Sequence, residues 1–320
     1  MSRKLIIFGN GLGMALDPTH FSLENALDEI WSTQGFLSDT QKKLISKCTG
    51  RDEHPSGEND LDKLHLAVNS CQTLNRIAGG KVHWLSDDGK YFPDITANYI
   101  HKVATQLHNY SGELPTDFTA PLIEFVKTTK SHVATLNYDK LIYSPFIEEN
   151  VLQGYDGALV DGMLSTGFSS DALERLFNKD FGYYLHLHGS PLFMNNTLGV
   201  KKMNRDQLFV DDYDRIGRHV VLTHVEHKPS VIANSPVLSV YWEYLSFSLS
   251  EAEEIIIFGY SGEDIHLNKL LKPYSKSKTI KVVEWSGSGD QKSREHFWTQ
   301  QIGKCDSLIL LDNILTFTSW

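Results

Sequence analysis

Two hydrophobic rhythms run along this 320-residue chain. Short β-branched apolar runs mark strands, and apolar stripes at three- and four-residue spacing mark helices. Leu5-Ile6-Ile7-Phe8 is the first run; it stops at Gly9-Asn10-Gly11-Leu12-Gly13, which reads as strand, glycine loop and the start of a helix. From Ser22, placed to cap, Leu23, Ala26, Leu27, Ile30 and Trp31 fall on one helical stripe. The segment 50–60 is polar with Gly and Pro and reads as a loop. Leu61, Leu64, Val68 and Cys71 mark the next helix, and Ile95, Tyr99, Val103 and Leu107 another. No convincing strand alternation interrupts residues 32–115, so a helical insertion is expected there, either covering a ligand crevice or carrying an oligomer contact.

After a helical segment ending at Lys127-Thr128-Thr129-Lys130 comes Ser131-His132-Val133-Ala134-Thr135-Leu136-Asn137-Tyr138-Asp139. Its first half reads as a buried parallel strand and its second half turns polar at once. Asn137 and Asp139 are then either presented at the carboxyl end of a strand, where open α/β sheets collect ligands, or caps of a helix starting near Lys140. The stretch 154–170 lacks any period and is a lid or an ordinary surface connection. Residues 183–187 alternate as a strand, which Gly189-Ser190-Pro191 stops just after His188, while His186 is the less suited of the two histidines. A candidate strand covers 219–223, and a helix 235–252. His224-Val225-Glu226-His227 resembles a metal pair but matches neither zincin order, and no metal site is expected. Strands at 254–258, 279–284 and 307–311 end in Gly259-Tyr260-Ser261-Gly262-Glu263-Asp264, in Ser286-Gly287-Ser288-Gly289 and in Asp312-Asn313. Five or more strands alternate with helices, and small or polar residues sit at nearly every carboxyl end. The expected architecture is a Rossmann-like, doubly wound parallel α/β sheet in one domain over 1–320, with a nucleotide-sized crevice.

Composition narrows the partners. With 41% hydrophobic and 22% charged residues the chain is an ordinary globular sequence, and its net charge of −10 argues against a direct nucleic-acid surface. Any anionic ligand must therefore be held locally, by backbone N–H groups and helix N-termini. Cys48, Cys71 and Cys305 are far apart, which excludes a four-cysteine zinc ribbon and fits a reducing cytoplasm. Only four strongly apolar residues follow Met1-Ser2-Arg3-Lys4, too few for a signal-peptide core, and no run reaches membrane-spanning length. The glycine loop differs from G-x-G-x-x-G, its third glycine coming one residue early, and lacks the Lys-Ser/Thr of a P-loop.

Gly9-x-Gly11-x-Gly13, Thr135-x-Asn137-x-Asp139, Leu187-His188-Gly189-Ser190 and Gly259-Tyr260-Ser261-x-x-Asp264 occur in the order and approximate spacing of the SIR2-like family. More closely, the chain resembles bacterial SIR2-like NAD hydrolases used as antiphage effectors. The resemblance implies that NAD+ is the substrate rather than a retained cofactor, and that Gly9, Gly11 and Gly13 cradle its diphosphate, with Asn10 and Thr135 in the same binding set. It makes Asn137 the residue that positions water at the nicotinamide ribose and His188 the general base, with Asp139 near the carboxamide. Gly259 and Ser261 would hold the adenosine half, Asp264 joins the binding set, and Glu284 and Asn313 are added by their strand-end placement. Peptide deacylation is put in doubt: Leu136 stands where sirtuin deacylases carry Gln, and Asp17-Pro18-Thr19-His20-Phe21 replaces their Pro-Asp-Phe-Arg. The resemblance further implies control by homo-oligomerisation or by a separate partner such as a HerA-like ATPase, an Argonaute-like protein or a nucleotide-processing subunit. A non-catalytic sensor of NAD or ADP-ribose, and a purely structural scaffold, are the rival readings.

Overall fold

The computed structural model describes residues 3–77, 84–155, 159–197, 199–209, 219–223 and 227–320. In chain order the elements begin with β1 (Lys4–Phe8), α1 (Gly11–Leu16), α2 (Leu23–Ser32), α3 (Asp39–Thr49), α4 (Glu58–Ile77), α5 (Asp87–His108), α6 (Thr116–Thr129), β2 (His132–Thr135) and α7 (Tyr143–Glu148). They continue with β3 (Met163–Leu164), β4 (Gly167–Phe168), β5 (Tyr184–His186), β6 (Phe193–Asn196), β7 (Gly199–Lys202), α8 (Lys228–Asn234) and α9 (Pro236–Glu251). The last third comprises β8 (Glu254–Phe258), α10 (Ile265–Leu271), β9 (Thr279–Trp285), α11 (Gln291–Ile302) and β10 (Ser307–Leu311).

Six strands form one sheet in the order β10-β9-β8-β1-β2-β5, and every pair in it is parallel. Alternation along each strand divides the core in two. Leu5, Ile7, Ile255 and Ile257 face a layer built with Val237, Tyr241 and Leu245 of α9 and Trp298 of α11. Ile6, Phe8, Ile256 and Phe258 face the other layer, with Leu12 of α1 and Phe118, Leu122 and Val126 of α6. Helices thus cover both faces, the doubly wound arrangement expected from the apolar runs. The chain leaves β1 toward β2 and β5, then returns to β1's other side with β8, β9 and β10. The topological switch point, where such sheets open a crevice, therefore lies between β1 and β8.

The insertion between β1 and β2 has its own core, in which Ala26, Leu27, Ile45, Leu61, Leu64, Tyr99 and Val103 pack together and reach Tyr138 and Leu222. Because α2 contributes Ala26 and Leu27 to it, the helical unit begins at Leu23 rather than near residue 32. Ser38 caps α3 in a capping box with Gln41, and Gly50 ends that helix in the left-handed conformation (φ 74°).

Other boundaries also differ from the sequence reading. The segment 219–223 is not a strand: it makes a single antiparallel bridge, Val220 to Gly189. The stretch from 154 to 170 carries the small β3–β4 pair, and β6–β7 is a hairpin whose polar Asn195 and Asn196 hide its strand character. No helix among the described residues is long and apolar enough to cross a membrane.

Candidate functional site

The sheet delivers four residues to one rim. Beyond the assigned strands the parallel ladder continues by one bond at each step: Gly9 N–H donates to the Phe258 carbonyl (2.9 Å), Leu136 N–H to the Phe8 carbonyl (2.9 Å) and Leu187 N–H to the Thr135 carbonyl (2.9 Å). Asn137 and His188 are thus the first residues past the ladder on β2 and β5, while Gly9 and Gly259 are the last ladder donors on β1 and β8. All four line a single cavity of about 1070 Å³ at the carboxyl ends of the strands. That is the upper end of the range for small-molecule sites, roughly 300–1,000 Å³.

The glycines have a packing reason. Gly11 N–H donates to the Gly259 carbonyl at 2.7 Å, so the loops after β1 and β8 lie against each other at the switch point. A β-carbon on Gly9 would sit 2.6 Å from Gly259 O, one on Gly11 2.6 Å from the same oxygen, and Gly259 itself has φ +61°. The N–H groups of Gly9 and Gly11 are therefore already engaged, which corrects the expectation that they point at a diphosphate. Gly13 does not line the cavity; its Cα faces the Phe21 ring, which a β-carbon would approach to 2.5 Å. Asn10 does line it, and its Nδ2 donates to the Phe21 carbonyl at 3.0 Å.

Asn137 is held from two sides. Its N–H donates to Thr135 Oγ1 (3.0 Å) and its Nδ2 to the Gly9 carbonyl (3.1 Å). Its Oδ1 is buried without a partner at the cavity wall. A buried acceptor left unpaired is costly, and a bound hydroxyl or water would satisfy it. Thr135 lies beneath and supports Asn137 instead of lining the cavity. Asp139 lines it, but Oδ1 accepts from Leu141 N–H (2.9 Å), so it closes the turn ahead of α7. Burial pushes the Asp139 carboxyl up to about 6.

His188 Nε2 lies 3.1 Å from Asp264 Oδ2. Burial lowers the imidazole's pKa, against the raising effect of Asp264, so the ring is neutral near pH 7. Asp264 is ionised, its pKa held below the usual carboxylate range, against the cost of burial, by His188, by Lys228 and by backbone N–H donors. The shared proton thus sits on Nε2, and Nδ1 is the ring's acceptor. Asp264 Oδ1 accepts from His266 N–H (3.0 Å) and Leu267 N–H (3.1 Å), capping α10. Lys228 Nζ stands 3.4 Å from Asp264 Oδ2 and 3.3 Å from Glu58 Oε1. Both oxygens of Asp264 are thus engaged within the protein, one on the α10 cap and the other toward His188 and Lys228. His186 points elsewhere, among Tyr143, Tyr184 and Phe193.

At the far end, under β9 and β10, Glu284 also lines the cavity, yet its oxygens accept from Arg294 Nε and Nη2 (2.8 Å each) and from Trp298 Nε1 (3.2 Å). Asn313 and Ser261 line it too; Asn313 Oδ1 accepts from Leu315 N–H (2.9 Å) and Ser261 Oγ from Glu263 N–H (3.4 Å).

Sequence reasoning missed Lys228, Glu58, Arg294 and Trp285, all of which line the cavity. An aromatic at the carboxyl end of an apolar strand was a usable signal for Trp285, which is 60% exposed. Nothing in the sequence separates Lys228 from a solvated lysine, although it is only 5% exposed. Glu58 and Leu107 bring α4 and α5 to the cavity, so the insertion borders the crevice. Of the suspected metal pair, His224 and Glu226 lie outside the described residues; His227 stacks on His65 and pairs with Asp62 at 2.7 Å. Among known proteins, neither a family model nor a curated sequence matches this chain.

Proposed function

We propose that the chain is an NAD+ glycohydrolase that releases nicotinamide and ADP-ribose, serving as an NAD-depleting effector of a bacterial antiphage system. The single observation that carries this reading is the convergence of Asn137, with an unpaired acceptor, and His188, with a fixed tautomer, on one dinucleotide-sized cavity.

The chemistry asks little of the protein. When the bond from ribose C1′ to the pyridinium nitrogen breaks, its electron pair neutralises the leaving ring, so no general acid is required. The sugar passes through an oxocarbenium-like state of the kind known in glycoside hydrolysis. Asn137 Oδ1 accepts a hydrogen bond from the ribose or from the attacking water. The water oxygen bonds to C1′, and its proton passes to His188 Nδ1 and on to solvent. Positioned base catalysis of this sort contributes about 10²- to 10⁴-fold. Lys228 and Arg294 are both ion-paired, so they offer a diphosphate partly neutralised charge. Control then rests on self-assembly or a separate partner protein.

The test is chromatographic analysis of nicotinamide and ADP-ribose from NAD+, with the chain alone and with the products of neighbouring genes. Asn137→Ala and His188→Ala are each expected to abolish release in a folded protein. Cleavage retained in both variants overturns the assignment, and thermal stabilisation by NAD+ with no product in any combination favours a sensor.

A further inference from the structure

Helix α5 of the insertion stands behind both loops that carry the candidate reacting groups. His101 and His108 are two helical turns apart and share a face. His108 Nδ1 donates to the Tyr138 carbonyl at 2.7 Å, between Asn137 and Asp139. His101 Nε2 donates to the Pro191 carbonyl at 2.9 Å, in the turn that follows His188. Both side chains are buried, and the second nitrogen of each, His101 Nδ1 and His108 Nε2, has no partner. That pattern fits neutral rings, each giving one N–H to a carbonyl; protonation would bury a second N–H with no acceptor. Burial lowers both pKa values, that of His108 to about 4. Tyr138 and Leu107 further seat this helix against the cavity wall.

We propose that α5 is the positioning element of the site: His101 and His108 fix the Pro191 and Tyr138 carbonyls and so set the placement of His188 against Asn137. The link to catalysis rests on the NAD+ reading, whereas the link between helix and loops does not. Hydrogen–deuterium exchange of the full chain therefore reads the mechanical part, and NAD+ turnover the chemical part. His108→Phe removes the donor at similar size; exchange in 136–142 is expected to quicken about tenfold or more while peptides of β8–β10 stay unchanged. His101→Phe should do the same for 187–193. In both, kcat should fall roughly 10- to 100-fold with KM changed less than about threefold, since misplacement of reacting groups by about 1 Å costs that much. His108→Asn, whose Nδ2 takes the place of the ring Nδ1, keeps an N–H donor and should recover most of the loss, and it remains informative where the Phe variant does not fold.

Loop exchange equal to wild type, or a uniform rise across all peptides, overturns the proposal, as does turnover at the wild-type rate in both Phe variants of an active enzyme. A wild-type chain that cleaves no NAD+ while its loops respond as described would instead sink the functional reading and leave the positioning role standing.

Discussion

Replacing Asp264 by Asn should silence the site without unfolding it. In the unmodified protein Oδ1 caps α10 through two backbone N–H groups, and Oδ2 faces His188 Nε2 and Lys228 Nζ. An Asn side chain keeps the cap only by leaving its oxygen toward the backbone, which turns the amide NH2 toward the imidazole. His188 must then accept at Nε2 and carry its proton on Nδ1, so the ring has no lone pair left for water. We expect nicotinamide release to fall by about 10² to 10⁴, roughly 2.7–5.4 kcal/mol of barrier. Lys228 retains Glu58 as partner, so the variant stays folded with a lowered melting temperature. Single-turnover release of nicotinamide at pH 7.5, beside a thermal unfolding curve, measures both effects. A folded Asp264→Asn protein cleaving NAD+ within about threefold of wild type would refute the tautomer argument.

Three further outcomes follow from the geometry. The Asp139 carboxyl is raised from 3.8 to about 6 on folding, so its stabilising contribution is full below about pH 4 and lost as pH rises through 6; Asp139→Asn should therefore gain stability relative to wild type between pH 4 and 7 in urea titrations, and a constant difference would contradict this. Gly189 has φ +81° and no room for a β-carbon beside the His219 carbonyl, so Gly189→Ala should cost about 3 kcal/mol or more and displace His188, seen as a lower urea midpoint. At the opposite end of the sheet Glu251 accepts from Arg3, Arg175 and His132; with its side chain 29% exposed, Glu251→Ala should cost about 2 kcal/mol in chemical denaturation while leaving the cavity intact.

The sheet was legible because its strands are buried on both faces and read as unbroken apolar runs; Ile255-Ile256-Ile257 admits little else. The rim was legible for the same reason, since a polar residue directly after such a run has only one place to go. What the glycines do was not legible. A sequence shows that Gly9, Gly11 and Gly259 lack side chains, but only the paired loops show that they make room for each other. The segment 219–223 was misread as a strand and the hairpin from Phe193 to Lys202 was not anticipated, because tertiary contacts, not local pattern, define them. The ion-paired Lys228 depends on a carboxylate from α4 and another from the cap of α10, a meeting that no local window contains.

The strand order also bears on how the molecule assembles. In the finished sheet Lys4 lies opposite Glu254 and Leu5 opposite His132, so β1 has no neighbour from its own part of the chain. Strands β8, β9 and β10, by contrast, pair with close successors through single helices. Closing a long loop before any reward is slow, so we expect the carboxyl-terminal βαβ units to form first and β1 to dock against them later. On that order the loop after β1 and the helical insertion settle only with that docking, and a chain stalled before it would expose the unpaired edge of β8 to its neighbours.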